Sequence, residues 1–172
     1  MLFAFLFSSF ALARGGSALV VSSTDWRDAY AASIHSQING YSTSFVIDIV
    51  QMYDILDYLD AEKFERVLLL TRQGTDIPSL SYRLRSLGSD VQNKDFADHF
   101  DITLFTSEEL SKTRQGSPVI IVRDDFAFDA LSAKYLSFVL KAPVLFAEKN
   151  ERLPQKTLDA MNVLSPSKVF VI

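Results

Sequence analysis

Short apolar runs alternate along the chain with longer segments whose apolar residues recur at helical spacing. Runs rich in Val, Leu, Ile and Phe predict buried parallel strands, and they occupy residues 19–22, 44–47, 67–70, 119–122, 144–146 and 169–172. Helical spacing predicts helices, and these occupy residues 27–38, 50–61, 78–87, 128–140 and 154–164. Residues 89–91 suggest a further short strand, and residues 107–110 look helical. Strands that alternate with helices of this length predict an α/β fold around a parallel, doubly wound sheet.

One segment of the chain is repeated without a gap. Residues 18–46 read ALVVSSTDWRDAYAASIHSQINGYSTSFV, and residues 119–147 read VIIVRDDFAFDALSAKYLSFVLKAPVLFA. Aligned residues are identical at Val21/Val122, Asp28/Asp129, Ala29/Ala130, Ala32/Ala133, Ser36/Ser137 and Phe45/Phe146. Self-similarity of this kind indicates a repeated structural unit. We therefore predict a flavodoxin- or Toprim-like sheet built by tandem duplication, with a first unit at residues 17–115 and a second, incomplete unit at residues 116–172.

The N-terminal segment, residues 1–16, reads MLFAFLFSSFALARGG and is apolar for most of its length. Ala11 and Ala13 give it the A-x-A form of a signal-peptidase site. The apolar run is too short to span a bilayer. The pattern favours a secretory signal peptide, and a first buried segment is the alternative interpretation.

Composition narrows the classes of function. A hydrophobic fraction of 48% and 14 Phe in 172 residues are enough for a well-filled core. The net charge of −4, without a basic stripe, argues against a nucleic-acid partner. The chain has no Cys, which excludes disulfides, thiolate metal sites and cysteine nucleophiles.

Four motifs of the second unit follow one another at the spacing of a known family. They read FDAL, KAPVL, LPQKTL and SKVFVI, at residues 128–131, 141–145, 153–158 and 167–172. The first unit carries divergent versions of the first and last motifs at residues 28–30 and 66–70. In these motifs the chain resembles the cell wall-binding repeat 2 family over residues 18–172. The resemblance implies a secreted, non-catalytic surface module, without a cofactor, that binds an envelope polysaccharide or assembles with surface-layer proteins.

Two loops stand at equivalent positions after the first predicted strand of each unit. The first ends in Asp25 and Trp26, and the second contains Arg123, Asp124 and Asp125. Open α/β sheets bind ligands at the carboxyl ends of their strands, so both loops are candidates for polymer or ligand binding. Adjacent Asp124 and Asp125 leave open a metal-dependent enzyme acting on a phosphate or phospho-sugar. A cavity beside either loop would favour a third hypothesis, a receptor domain for a small ligand.

The remaining candidates are charged residues outside the two loops. His99 stands where the family carries Arg, and Lys149, Arg152 and Lys156 make the end of the chain mildly basic, which would suit an anionic polymer. We assign no catalytic residue and no metal site. An uncovered apolar helix face in the second unit would favour a homo-oligomer.

Two repeated carboxylates have a structural interpretation. Asp28 and Asp129 occupy the same position in the duplicated segment, at or just inside a predicted helix start. A carboxylate there stabilises the positive end of the helix dipole and can cap free N–H groups. We therefore predict that both residues open helices and do not carry out chemistry.

Overall fold

The computed structural model describes residues 16–75, 77, 79–124, 127–149 and 152–172. Its elements, in chain order, are β1 (Ser17–Ser22), α1 (Trp26–Asn39), β2 (Ser42–Val46), α2 (Ile49–Glu62), β3 (Arg66–Arg72), α3 (Leu80–Ser86), β4 (Asp90–Phe96), α4 (His99–Arg114), β5 (Val119–Arg123), α5 (Ala127–Leu140), β6 (Val144–Ala147), α6 (Gln155–Leu164) and β7 (Val169–Val171). Residues 1–15 of the predicted signal segment at residues 1–16, and the candidate Asp125, lie outside the described residues. No helix within the described ranges combines the length and the apolarity needed to cross a membrane.

All paired strands run parallel, which confirms the α/β class and the parallel sheet. The strands are divided between a first sheet, ordered β2-β1-β3-β4, and a second sheet, ordered β6-β5-β7. After β4 the chain does not return to the first sheet, because α4 carries it to β5. The duplicated segment therefore supplies the same three elements twice. Each copy gives one sheet an inner strand and an edge strand, together with the helix that connects them.

The two sheets repeat the same local geometry. In the first sheet β1 lies between β2 and β3, and in the second sheet β5 lies between β6 and β7. Val21 pairs with Phe45 in the first sheet, and Val122 pairs with Phe146 in the second. Helices α1 and α5 begin and end at positions that correspond under the same alignment. The sequence repeat is thus also a repeat of strand order and register.

Two apolar cores hold the layers together. The smaller core joins one face of the first sheet to α2 and α3, with Met52, Leu59 and Leu84 fully buried. The larger core joins α1 and α4 to the second sheet and to α6. Phe146 of β6 is at its centre, with no exposed surface and with the rings of Trp26 and Tyr30 at 6.3 and 6.1 Å. Burial of an aromatic side chain of this size contributes about 2–3 kcal/mol to folding.

Aspartate side chains cap the starts of three helices. The carboxylates of Asp25, Asp48 and Asp98 accept hydrogen bonds from backbone N–H groups at the starts of α1, α2 and α4. Gly40 ends α1 in the left-handed conformation, with a φ of 74°, which glycine adopts without a steric penalty. The caps fix where β1 gives way to α1, and therefore where the loop side chains lie.

The structure extends two elements beyond the sequence prediction. β4 runs from Asp90 to Phe96, whereas the apolar pattern suggested only residues 89–91. It is an edge strand with four consecutive exposed residues, so it lacks a continuous apolar run. The helix suggested at residues 107–110 is the end of α4, which begins at His99. Several positions that α4 buries are polar, including Thr103 and Ser107, and this weakens its amphipathic pattern.

Candidate functional site

A cleft of about 430 Å³ opens at the carboxyl ends of β1, β3 and β4 and reaches the start of α3. Hydroxyl and amide side chains form much of its wall, and they belong to Ser22, Thr71, Gln73, Ser79, Ser81 and Asn93. Leu69, Ile77 and Leu80 add an apolar part to the wall. This edge is where open parallel sheets usually bind ligands. The cleft borders the predicted loop at residues 22–25 through Ser22.

Hydrogen bonds hold the cleft's loop against β1. Thr75 Oγ1 donates to the carbonyl oxygens of Ser22 and Arg72 at 2.9 and 2.7 Å, and Ser22 Oγ donates to the carbonyl of Thr75 at 3.1 Å. Gly74 makes the turn with a φ of 85°, a conformation that side chains disfavour. These hydrogen bonds hold the turn in one conformation, so the polar groups of this part of the wall have fixed positions.

Charged residues behind the cleft form an ion-pair network, which consists of Asp25, Arg27, Asp28, Arg72 and Asp124. Arg72 Nη1 lies 2.7 Å from Asp28 Oδ2 and 3.0 Å from Asp25 Oδ2. The guanidinium of Arg27 contacts Asp25 through Nε at 2.8 Å and both oxygens of Asp124 through Nη1 at 2.9 Å. The network thus links the carboxyl end of β1 to the loop that follows β5 in the second sheet.

Burial and pairing act in opposite directions on the two carboxylates at the start of α1. Burial alone would raise the pKa of Asp25, but hydrogen bonds from Arg27 and the charges of Arg27 and Arg72 outweigh it and lower the pKa to about 2. At Asp28, burial is the larger effect and raises the pKa, although Ser23 and Arg72 donate to this carboxylate. Asp25 is therefore held ionised by its partners, whereas the charge of Asp28 depends on Arg72.

His99 closes the network on the side of the second sheet. Its Nε2 lies 3.2 Å from Asp124 Oδ2 but is not aligned for a hydrogen bond. The ring is nearly fully buried and lies 3.9 Å from the ring of Phe100 and 5.2 Å from that of Phe146, measured between centroids. Burial lowers the pKa of His99, and the charge of Arg27 lowers it further. The imidazole is consequently neutral near pH 7.

The structure brings some of the predicted site residues together. Asp25, Asp124 and His99, which are far apart in the sequence, meet around Arg27. The ring of Trp26 lies beside them, with its edge contacts to Tyr30 and Phe146. These candidates are therefore partners of one another in a largely buried cluster, and their charges already interact with each other.

Two of the other predicted residues are paired with carboxylates outside the network. Lys156 of α6 contacts Asp101 at 2.6 Å and Asp98 at 3.0 Å, at the start of α4. Arg123 is exposed and lies 3.4 Å from Asp129. Lys149 and Arg152 are exposed in the connection from β6 to α6, which follows the strand whose Ala147 carbonyl accepts from the backbone N–H of Asp124.

The repeated aspartates both lie in the first turn of a helix. The residue that caps α1 is Asp25, however, and Asp28 accepts hydrogen bonds from Ser23 and Arg72. The side chain of Asp28 has no exposed surface, whereas that of Asp129 is 30% exposed. The same residue is thus a buried ionic partner in the first copy and a surface residue in the second.

Sequence reasoning missed the two arginines that organise the network. A signal for Arg27 was available, because it stands between Asp25 and Asp28 in a D-W-R-D segment. A signal for Arg72 lies in the topology, because β3 pairs with β1 and ends where the loop of residues 22–25 begins. A carboxylate buried at the start of α1 requires a cation, and Arg72 is within reach of it.

The described residues contain no group of three or more His, Asp or Glu placed to hold a metal ion. Both carboxylate oxygens of Asp124 accept from Arg27, so a cation at this residue would have to displace the guanidinium. Asp125, the other residue of the metal hypothesis, is outside the described part of the chain.

Fold and cleft together define a class: an α/β protein with two parallel sheets of repeated strand order and an open polar cleft at one carboxyl edge. A solved structure of this fold is that of Cwp6 from Clostridium difficile, with a TM-score of 0.70 and 14% sequence identity. The similarity covers 91% of this chain and 25% of that chain, so this chain spans about a quarter of its length. No family model and no curated protein matches the chain. At 14% identity the likeness establishes the fold.

Proposed function

We propose that the chain is a non-catalytic, cell-surface module that binds a hydroxyl-rich envelope polysaccharide in the cleft of the first sheet. The observation that carries this proposal is the open polar cleft, in whose wall Arg72 is already paired with Asp25 and Asp28, and Asp95 is the other charged residue among those described. Two further arguments support it. The fold is shared with Cwp6, a C. difficile cell wall protein, and the motifs of the second unit resemble wall-binding repeats.

The chemistry of the cleft suits sugar hydroxyl groups. Ser, Thr, Asn and Gln side chains both donate and accept hydrogen bonds, as sugar hydroxyls do. Ile77, which is half-buried in the wall, offers apolar contact to the C–H groups of a sugar ring. Arg72, the cation in the wall, is already bonded to two carboxylates and has little charge to offer an anion. We expect weak affinity at one cleft, and avidity would require several copies of the chain to bind one polymer at the same time.

A receptor for a small ligand is the second candidate function, because it uses the same cleft. The volume of about 430 Å³ is in the range of small-molecule sites. The two candidates differ in their ligand, since a receptor binds a free small molecule and a wall module requires the polymer. Assembly with other surface proteins is compatible with either one and requires a different surface.

Retention of the full chain on purified cell envelope tests the proposal. Asn93→Trp would fill the cleft with an indole ring, and Gln92→Trp is the matched control. Gln92 is the neighbouring exposed residue of β4 and is not part of the cleft wall, because successive strand residues face opposite sides. We expect Asn93→Trp to weaken retention at least about tenfold and Gln92→Trp to leave it unchanged.

Each outcome of this experiment supports or contradicts one of the candidates. Equal retention of both variants would contradict binding in this cleft. Loss of retention with a chelator would favour the metal hypothesis, whereas retention that resists both chelator and salt supports recognition of neutral hydroxyls. Competition by a monosaccharide as effective as that by the polymer would favour the receptor.

A further inference from the structure

The two charged residues in the described wall of the cleft, Arg72 and Asp95, differ in their partners. Arg72 Nη1 contacts Asp28 at 2.7 Å and Asp25 at 3.0 Å, so its charge is balanced within the protein. Asp95, near the end of β4, is exposed, and none of the described residues forms an ion pair or a hydrogen bond with its carboxylate. The uncompensated charge of this wall is therefore the negative charge of Asp95.

Asp95 stands among the hydroxyl and amide groups of the cleft. Asn93 and Asp95 lie on the same side of β4, because alternate residues of a strand do so. In the register of the sheet Thr71 of β3 pairs with Asp95. Thr71 Oγ1 donates to Asn93 Oδ1 at 3.4 Å. One side of the sheet thus places a hydroxyl, an amide and a carboxylate next to one another.

A smaller cavity of about 240 Å³ adjoins the cleft at the same edge of the sheet. Gln73 and Asp95 line both cavities, so Asp95 lies between them. The smaller cavity adds the exposed carboxylate of Glu108. Lys94 also lines it, but Lys94 and Asp95 are successive strand residues and point to opposite sides. The second cavity therefore leaves the charge of Asp95 uncompensated.

A negative charge in the wall selects among sugar polymers by their own charge. A phosphate or a uronic acid finds no free cation in the described wall and is repelled by Asp95. A neutral sugar can bond to the hydroxyl and amide groups but leaves Asp95 without a counter-ion. An ammonium group next to sugar hydroxyls suits both parts of the wall, because a charge-assisted hydrogen bond is about twice as strong as a neutral one.

We propose that the cleft selects a polysaccharide with free amino groups and that Asp95 binds the ammonium group, an inference that rests on the function proposed above. The ligand class is an amino sugar without a substituent on nitrogen. Thr71 and Asn93 bind the neighbouring hydroxyl groups of the same sugar. An N-acetylated sugar offers a neutral amide in place of the ammonium group, so Asp95 determines the specificity between the two.

Calorimetric titration of the full chain with two soluble probes tests the proposal. The probes are oligomers of glucosamine and of N-acetylglucosamine of equal length, at about pH 6, where the amino groups are protonated. We expect the glucosamine oligomer to bind about fivefold to tenfold more tightly. Added salt should reduce this preference, since it screens the ion pair. Asp95→Asn keeps the size of the side chain and removes its charge, so this variant should bind both probes equally.

Asp90→Asn is the matched control. Asp90 is exposed at the other end of β4 and carries the same charge, but it does not line the cleft. This variant should keep the preference, which separates the contact at Asp95 from a change in net charge. Equal affinity of the unmodified chain for the two probes, binding to neither of them, or a preference that survives Asp95→Asn would overturn the proposal.

Retention on purified envelope separates this proposal from the proposed function. Treatment of the envelope with acetic anhydride converts its amino groups to amides. We expect this to lower retention of the unmodified chain about fivefold, and to leave retention of Asp95→Asn unchanged. If acetylation has no effect while Asn93→Trp still weakens retention, the cleft binds the polysaccharide through its hydroxyl groups alone and only the present proposal fails. If no envelope preparation retains the chain, the proposed function fails as well.

Discussion

Helices α1 and α5 are two copies of one helix in different surroundings. Ala32 and Ala133, which correspond in the repeat, are both fully buried against their sheets. On the outer face the copies differ, because Ile34 is 2% exposed and the corresponding Tyr135 is 77% exposed. The two helices thus share the face that packs on the sheet, whereas the burial of the outer face depends on which elements pack over it in each copy.

The repeated aspartates show the same difference in their electrostatics. Asp28 is fully buried and is paired with Arg72 from a neighbouring strand. Asp129 is partly exposed and lies 3.4 Å from Arg123, which precedes it by only a few residues. A buried carboxylate that loses its partner is strongly destabilising, whereas an exposed pair contributes little.

The largest expected effect is at Arg72. Arg72→Ala leaves Asp28 buried without its cation, and we expect the free energy of unfolding to fall by about 3–5 kcal/mol. Arg123→Ala removes the exposed counterpart and should cost less than about 1 kcal/mol. Urea unfolding at pH 7 measures both. Similar losses for the two variants would show that the two aspartates are not in different environments.

Much of the fold could be predicted because its signals are local. The apolar runs of β1 and β5 depend on neighbouring residues, and the repeat carries the same interpretation to the second copy. β4 was predicted too short because four consecutive residues of this edge strand, 92–95, are polar and exposed, so the strand lacks an apolar run. The division into two sheets was not predicted, because apolar runs do not encode which strands pair.

The second expected effect concerns apolar packing on the two helices. Ile34→Ala removes a buried side chain between α1 and α4, and we expect a loss of about 2–4 kcal/mol. Tyr135→Ala, at the corresponding position of α5, should change stability by less than about 0.5 kcal/mol. Urea unfolding of both variants measures the difference. A large loss at Tyr135 would mean that this side chain is covered within the chain and is not exposed.

The candidate site could be predicted only in part. Its location at the carboxyl ends of strands follows from a general rule of parallel sheets, and Asp25 and Asp124 were chosen on that basis. That Arg27 joins these two carboxylates depends on how the second sheet docks, which sequence spacing does not reveal. The cleft itself is formed largely by residues after β3 and at the start of α3, where the sequence showed no motif.

The smallest expected effect is a loss of stability in acid that originates in α1, the helix that α4 covers. His35 of α1 is 3% exposed, and burial lowers its pKa from 6.5 to about 4, against the opposing influences of Glu109 and the Thr106 backbone. The unfolded chain takes up a proton at higher pH than the folded chain does. The contribution of neutral His35 is therefore present above pH 6.5 and is lost as the pH falls toward 4.

We expect the free energy of unfolding to drop by about 2 kcal/mol between pH 7 and pH 4.5 because of His35. His35→Gln should remove most of this slope, since glutamine does not titrate. The buried His99 retains its own contribution of the same sign, because burial also lowers its pKa. The counterpart of His35 in α5 is Leu136, so the second copy has no such group. Urea unfolding of both proteins across this pH range measures the difference, and an unchanged slope in His35→Gln would place the acid-sensitive group outside the contact between α1 and α4.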